Sequence, residues 1–129
     1  MDLSLRIAEL QVLSENFIKK TGKNLADNEF KVMVLLRVFN ECTPSVLISK
    51  MGILKTNLAL LLKKLIDGGL VCFRKSSLDS RSKMYSLTDL GNQVMDQILA
   101  DIDVNLEGAF TEDFALALEI VPSVLNKRI

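Results

Sequence analysis

The run from Leu70 to Gly91, LVCFRKSSLDSRSKMYSLTDLG, constrains this chain more than any other. It holds two short β-prone runs, Leu70–Arg74 and Lys83–Leu87, joined by a polar basic loop from Lys75 to Ser82 that no core could absorb. A helical stretch ends before it in Gly68 and Gly69, and Thr88 offers a helix start after it. A charged hairpin set between helices has to project from the body of the molecule.

The rest of the chain reads as helix. At 129 residues and 49% hydrophobic content it can bury one core, and with 5% aromatics, no Trp and no His it is poor in the residues that favour sheets. No apolar run reaches eighteen residues, and the opening MDLSLRIAEL lacks a leader pattern, so a cytoplasmic protein without membrane contact is expected. Cys42 and Cys72 both sit in apolar settings with no C-x-x-C or ligand cluster. Two reduced thiols are expected, with Cys72 a small buried filler rather than a redox centre.

The zero net charge hides an uneven distribution. Between Thr43 and Thr88 stand Lys50, Lys55, Lys63, Lys64, Arg74, Lys75, Arg81 and Lys83 against Asp67 and Asp79, an excess of six. The whole chain has 16 residues of each sign, so the flanks carry eight basic and fourteen acidic residues. A basic middle that coincides with the hairpin suits a face meeting an anionic polymer.

Apolar residues Leu3, Ile7, Leu10, Leu13, Phe17 and Ile18 mark one stripe of a helix over Leu3 to Lys20, ended by Gly22. Such a stripe calls for a cover, a second subunit or the chain's own core. Asp27 is expected to cap the next helix, which is apolar on more than one face and central. Thr43 with Pro44 opens a short helix that Gly52 stops, and a further helix runs from Lys55 to Asp67. Two helices joined by a tight glycine turn form a helix-turn-helix.

Leu58, Leu61, Leu62 and Leu65 give the second of these helices its core stripe, leaving Thr56, Asn57, Ala59, Leu60, Lys63 and Lys64 outward. Thr56 and Asn57 suit base edges, Ala59 and Leu60 suit thymine methyls, and Lys55, Lys63 and Lys64 suit phosphates. Thr56 as a plain cap and Leu60 as ordinary surface are the competing readings. In the hairpin, Arg81 suits a minor groove, Asp79 a brace or guanidinium partner, and Ser77, Lys75 and Lys83 the phosphates.

On these residues the run from Leu25 to Gly91 resembles the MarR (multiple antibiotic resistance regulator) family. The matching segments are LADNEF, TPSVLISKMGILKTNL, KKLIDGGLV, DSRS and YSLTDLG. The resemblance implies a mainly α protein with a small β-wing, a winged helix-turn-helix with N- and C-terminal dimerisation helices. It further implies a homodimer on a palindromic operator of double-stranded DNA, with Thr56 and Asn57 opening the recognition helix, Asp79 in the wing and Arg81 at its tip. The divisions would be 1–24 for the N-terminal dimerisation helix, 25–88 for the DNA-binding core and 89–129 for the C-terminal dimerisation helices. The sequence departs from the family at Ala26, where a hydroxyl is usual, at Leu54, Ala59 and Leu60, which are usually polar, and at Phe73, often Arg. Without a first-helix Cys or any His, peroxide and zinc sensing do not carry over.

Beyond Thr88 the pattern predicts a helix to about Leu106, a break at Gly108, and an apolar last helix opened by Thr111 that Pro122 kinks or divides. So apolar a tail needs burial, and intertwining with a second copy supplies it. No nucleophile with its base, phosphate loop or carboxylate pair is present, so no catalysis and no cofactor are expected. The reading is a dimeric, sequence-specific repressor, its affinity altered by a small-molecule effector at the junction of dimer and DNA-binding parts. A protein-interaction module, an antirepressor binding another regulator through Ala59 and Leu60, is the alternative.

Overall fold

A computed structural model describes residues 2–21, 25–76, 78, 81–109 and 112–129. The expectations at Gly22, Ser77, Asp79, Ser80 and Thr111 lie outside the described residues. The element order is α1 (Leu3–Lys20), α2 (Asp27–Phe39), α3 (Pro44–Met51), α4 (Lys55–Asp67), β1 (Val71–Lys75), β2 (Lys83–Leu87), α5 (Asp89–Leu106), α6 (Glu112–Leu118) and α7 (Ile120–Asn126). This is the mainly helical, winged architecture that the sequence predicts.

Local chemistry explains most boundaries. Asp2 accepts the Leu5 N–H at 3.2 Å to open α1, and Lys19 and Lys20 face the negative end of its dipole. Thr43 caps α3 by accepting the Val46 N–H, Pro44 takes the first position, and Gly52 ends the helix in the left-handed region with φ 67°. Asp27, expected as the cap of α2, is instead its first residue. Extended Ala26 is the cap, its carbonyl accepting from Phe30 N at 2.9 Å, while Asp27 pairs with Lys19 at 3.5 Å. Pro122 lies in the first turn of α7, just after α6 gives way at Glu119, so the last helix is divided as expected.

The core gathers around α2. Its Phe30, Val32, Met33 and Leu36 are buried with Leu47 of α3, Leu58, Leu62 and Leu65 of α4, and Met95 and Ile98 of α5. Each buried leucine contributes about 1.5–3 kcal/mol by leaving water, so the leucine stripe of α4 fixes the roll of that helix. Arg37 of α2 donates to Asn92 Oδ1 at 2.9 Å and pairs with Asp96, tying α2 to α5.

The hairpin is antiparallel, with Val71 opposite Leu87, Phe73 opposite Tyr85 and Lys75 opposite Lys83. It is stitched to the body where Cys42 and Tyr85 exchange backbone hydrogen bonds of 3.0 and 2.8 Å. β1 begins one residue later than expected because the Leu70 N–H bonds Leu65 O at 3.0 Å, making Leu70 part of the terminal turn of α4. With Val71 turned into the core, alternation turns Cys72 outward. Cys72 is therefore exposed, not the buried filler expected, whereas Cys42 is buried, and both are free thiols.

Past the wing, the Thr88 hydroxyl donates to Gly69 O at 2.6 Å and accepts the Gly91 N–H at 3.0 Å. That double bond set anchors the start of α5 against the end of α4.

Candidate nucleic-acid interface

α3 and α4 meet at a bend of 115° across the Gly52–Leu54 turn, the geometry of a helix-turn-helix. No single helix among the described residues is long and apolar enough to cross a membrane. The two helices together have the length and composition, but the bend and the burial of Leu47, Leu58, Leu62 and Leu65 mark them as core elements.

With Leu58, Leu62 and Leu65 inward, every outward residue expected to read DNA is exposed: Thr56, Asn57, Ala59, Leu60, Lys63 and Lys64, with Lys55 at the helix start. Thr56, Leu60 and Lys63, at i, i+4 and i+7, form the crest opposite the buried stripe. Thr56 does not cap the helix; Leu54 holds that position without a side-chain bond. Leu60 and Leu54 are 68% and 69% exposed, two large apolar groups at the reading end of the helix.

The lysines of α4 are not equivalent. Lys63 pairs with Asp67 at 3.1 Å, both side chains open to solvent, which leaves its charge readily exchanged. Lys64 reaches Glu29 of α2 at 2.7 Å, and Glu29 is the one buried charged residue among those described. Glu29 was not singled out in the sequence. The signal was its register: with Met33 and Leu36 it stands at i, i+4 and i+7, a carboxylate in line with the core stripe, and such a group needs a partner.

On the wing, Lys83 Nζ lies 4.6 Å from the centroid of the Phe73 ring, and that ring packs on Tyr85 with centroids 5.6 Å apart. The aromatic face holds the cation in place, so at the position where the family often has Arg this chain keeps a positive charge by a different route. Arg74 pairs with Glu41 at 2.7 Å, bracing the stem against the α2–α3 connection. Arg81 is exposed at the end of the finger and Lys75 is exposed at the end of β1. Ser77 and Asp79 lie outside the described residues. No group of His, Cys, Asp or Glu that would hold a metal ion occurs among the described residues.

Two helices at this angle, an exposed helical crest and a cationic finger are the parts of a winged duplex reader. Residues 25–83 match the MarR family. The MarR match thus covers α2, α3, α4 and the hairpin as far as the start of β2, and the fold extends the likeness over nearly the whole chain. A transcriptional regulator, PA4135, superposes with a TM-score of 0.76 at 22% identity over 98% of this chain and 97% of that one. Wild-type MarR from E. coli in its apo form gives 0.72 at 20% identity over 97% of each chain. Reduced AbfR bound to DNA gives 0.67 at 22% identity over 98% of this chain and 91% of that one. At these identities the likeness establishes the winged-helix fold alone. No curated protein matches the sequence.

Proposed function

We propose that this chain is a DNA-binding transcription regulator, a repressor that acts as a homodimer on a palindromic operator with α4 in the major groove and the β-wing in the minor groove. The observation that carries the reading is the exposed crest of α4 joined to a cationic hairpin within a MarR-matching segment. The AbfR structure with the same fold holds DNA, which supports a duplex as the partner. In this reading Thr56, Asn57, Ala59 and Leu60 meet base edges, Lys55, Lys63, Lys75, Ser77 and Lys83 meet phosphates, and Arg81, oriented by Asp79, enters the minor groove. Lys64 acts mainly through Glu29, holding α4 on α2.

Dimerisation is supported by what the single chain leaves uncovered. α1 buries none of its residues, and Leu3, Leu10, Val12 and Leu13 are exposed along it. Leu116, Leu118, Ile120 and Val124 are exposed on α6 and α7. Apolar surface on this scale at both ends of the chain is what intertwined helices would bury.

A small-molecule effector has a candidate seat in a cleft of about 420 Å³ between α1, α2 and α3, walled by Ile18, Phe30, Val34, Leu35 and Met51 with Lys31 and Lys50 at its edge. Lys50 also donates to the Asn126 carbonyl at 3.1 Å, so a cleft residue of the helix-turn-helix is bonded to the C-terminal helix.

The test is selection from a random duplex pool with the purified protein. Enrichment of an inverted repeat with half-sites about one helical turn apart supports the reading. Enrichment of no sequence, with capture of another regulator that Leu60→Glu abolishes, supports the protein-interaction alternative.

A further inference from the structure

We propose that base reading by α4 is apolar, with Leu60 the specificity-determining residue and thymine 5-methyl groups its target. The proposal rests on the duplex-binding reading and deepens it.

The geometry leaves Leu60 the central place. The buried stripe of Leu58, Leu62 and Leu65 sets the roll of α4, and the crest opposite it consists of Thr56, Leu60 and Lys63. A helix laid in a major groove presents its crest to the floor, so a leucine at the centre of the crest meets base edges and not the phosphate rim. Two strong polar competitors are missing from the centre of that crest. α4 contains no Arg, the residue that reads guanine O6 and N7 in bidentate fashion. Lys64, the lysine one turn after Leu60, is held by the buried Glu29 carboxylate at 2.7 Å. Leu54, exposed just before the helix, adds a second apolar contact on the N-terminal side.

Chemistry then selects the base. A leucine pressed on guanine O6 or cytosine N4 would strip water from a hydrogen-bonding group and return nothing. Against thymine it covers a methyl that water already disfavours. Asn57 remains as a polar reader beside it, suited to adenine N6 and N7. Lys55 at the helix start and Lys63 one turn after Leu60 set positive charge on either side of that leucine along the helix. An apolar strip rimmed by cations complements a groove with methyls on its floor and phosphates on its walls, which argues for DNA over a protein as the occupant.

The experiment starts from the duplex selected by the full-length protein and replaces each dT in turn by dU, which removes the 5-methyl group alone. At one or two positions in each half-site affinity should fall about fourfold, the worth of one buried methyl. In Leu60→Ala the same replacements should have no effect, while circular dichroism matches the wild type because the side chain is exposed. Equal affinity for dT and dU at every position overturns the proposal, as does a dT preference that Leu60→Ala leaves intact. Failure to bind any duplex overturns the underlying reading along with it, and is distinguished by the absence of salt-dependent binding altogether.

Discussion

Lys64 Nζ stands 2.7 Å from a carboxylate oxygen of Glu29, so a lysine of the reading helix is joined to the floor of the core beneath it. The pair is one-sided: the Lys64 side chain is 70% exposed and that of Glu29 only 9%. Removing the lysine strands a buried carboxylate, whereas replacing the carboxylate by an amide strands nothing charged. Lys64→Met should therefore lower stability by about 1–2 kcal/mol and Glu29→Gln by less, the first figure being held low because water reaches the ammonium. Urea unfolding midpoints at unchanged slope measure both, and equal stability of Lys64→Met and wild type would sink the assignment.

The start of α5 is packed onto the end of α4 without room for a methyl. A Cβ on Gly91 would lie 2.1 Å from the Leu70 carbonyl oxygen, a backbone atom that is itself accepting the Thr88 N–H at 3.0 Å. Gly91→Ala should cost about 3 kcal/mol, since the backbone has to move. Gly68→Ala is the control, with nothing nearer than 3.4 Å, and should stay within about 0.5 kcal/mol. Thermal or urea unfolding of the two variants decides it.

Burial raises the Cys42 thiol pKa above its ordinary value of 9.0, while Cys72 is exposed beside the Ser86 hydroxyl at 3.4 Å. A group that binds its proton more tightly when folded leaves stability untouched below 9.0 and erodes it as pH climbs from there through the raised value. Native protein near neutral pH should accordingly label at one thiol, which Cys72→Ser abolishes, and at two in denaturant. Rapid labelling of both thiols in the folded state would contradict the packing around Cys42.

If α1 and the C-terminal helices meet a second copy, the chain of 14.4 kDa should sediment as a dimer. Leu10→Glu combined with Leu13→Glu places two charges on the exposed stripe of α1 and should shift the species to monomer without loss of helix in each chain. A monomeric wild type at micromolar concentration would remove the support for intertwined helices.

If the chain binds duplex as proposed, wing and helix should make separable contributions to affinity. Arg81→Ala should weaken binding by about 1–3 kcal/mol and relax selectivity at the positions flanking the half-site. Lys75→Gln should weaken binding to all sequences alike and lower the salt slope by about one unit per protomer. Anisotropy titrations at three salt concentrations separate the two outcomes.

Most local signals in the sequence mapped onto structure, the Asp27 cap of α2 being the exception. Thr43 with Pro44, Gly52, and Thr88 with Gly91 mark helix ends through bonds within a few residues, and the leucine period of α4 announces its buried side. Partners far apart were not legible in the same way. Glu29 meets Lys64 and Glu41 meets Arg74 only after α2 and the wing are placed, so the register of Glu29 with Met33 and Leu36 is the only trace they leave. Cys72 shows the limit of reading burial from neighbours in sequence: its apolar setting suggested a buried filler, but alternation along β1, with Val71 inward, leaves it solvent-exposed. On the reading face the sequence shows that Leu60 points outward, but only the structure shows that Lys64 is paired with Glu29.

The most direct measurement is the dependence of affinity on salt for the wild-type protein and its selected duplex. In the proposed complex the exposed Lys55, Lys63, Lys75, Arg81 and Lys83 of each protomer meet phosphate or the minor groove, and each neutralised phosphate contributes about −0.9 to the slope of log affinity against log salt. With five such groups on each of two protomers, the dimer should give a slope of about −9, reduced in Arg81→Ala. A flat dependence, or no measurable affinity for any duplex at low salt, would contradict the assignment of this winged helix to DNA.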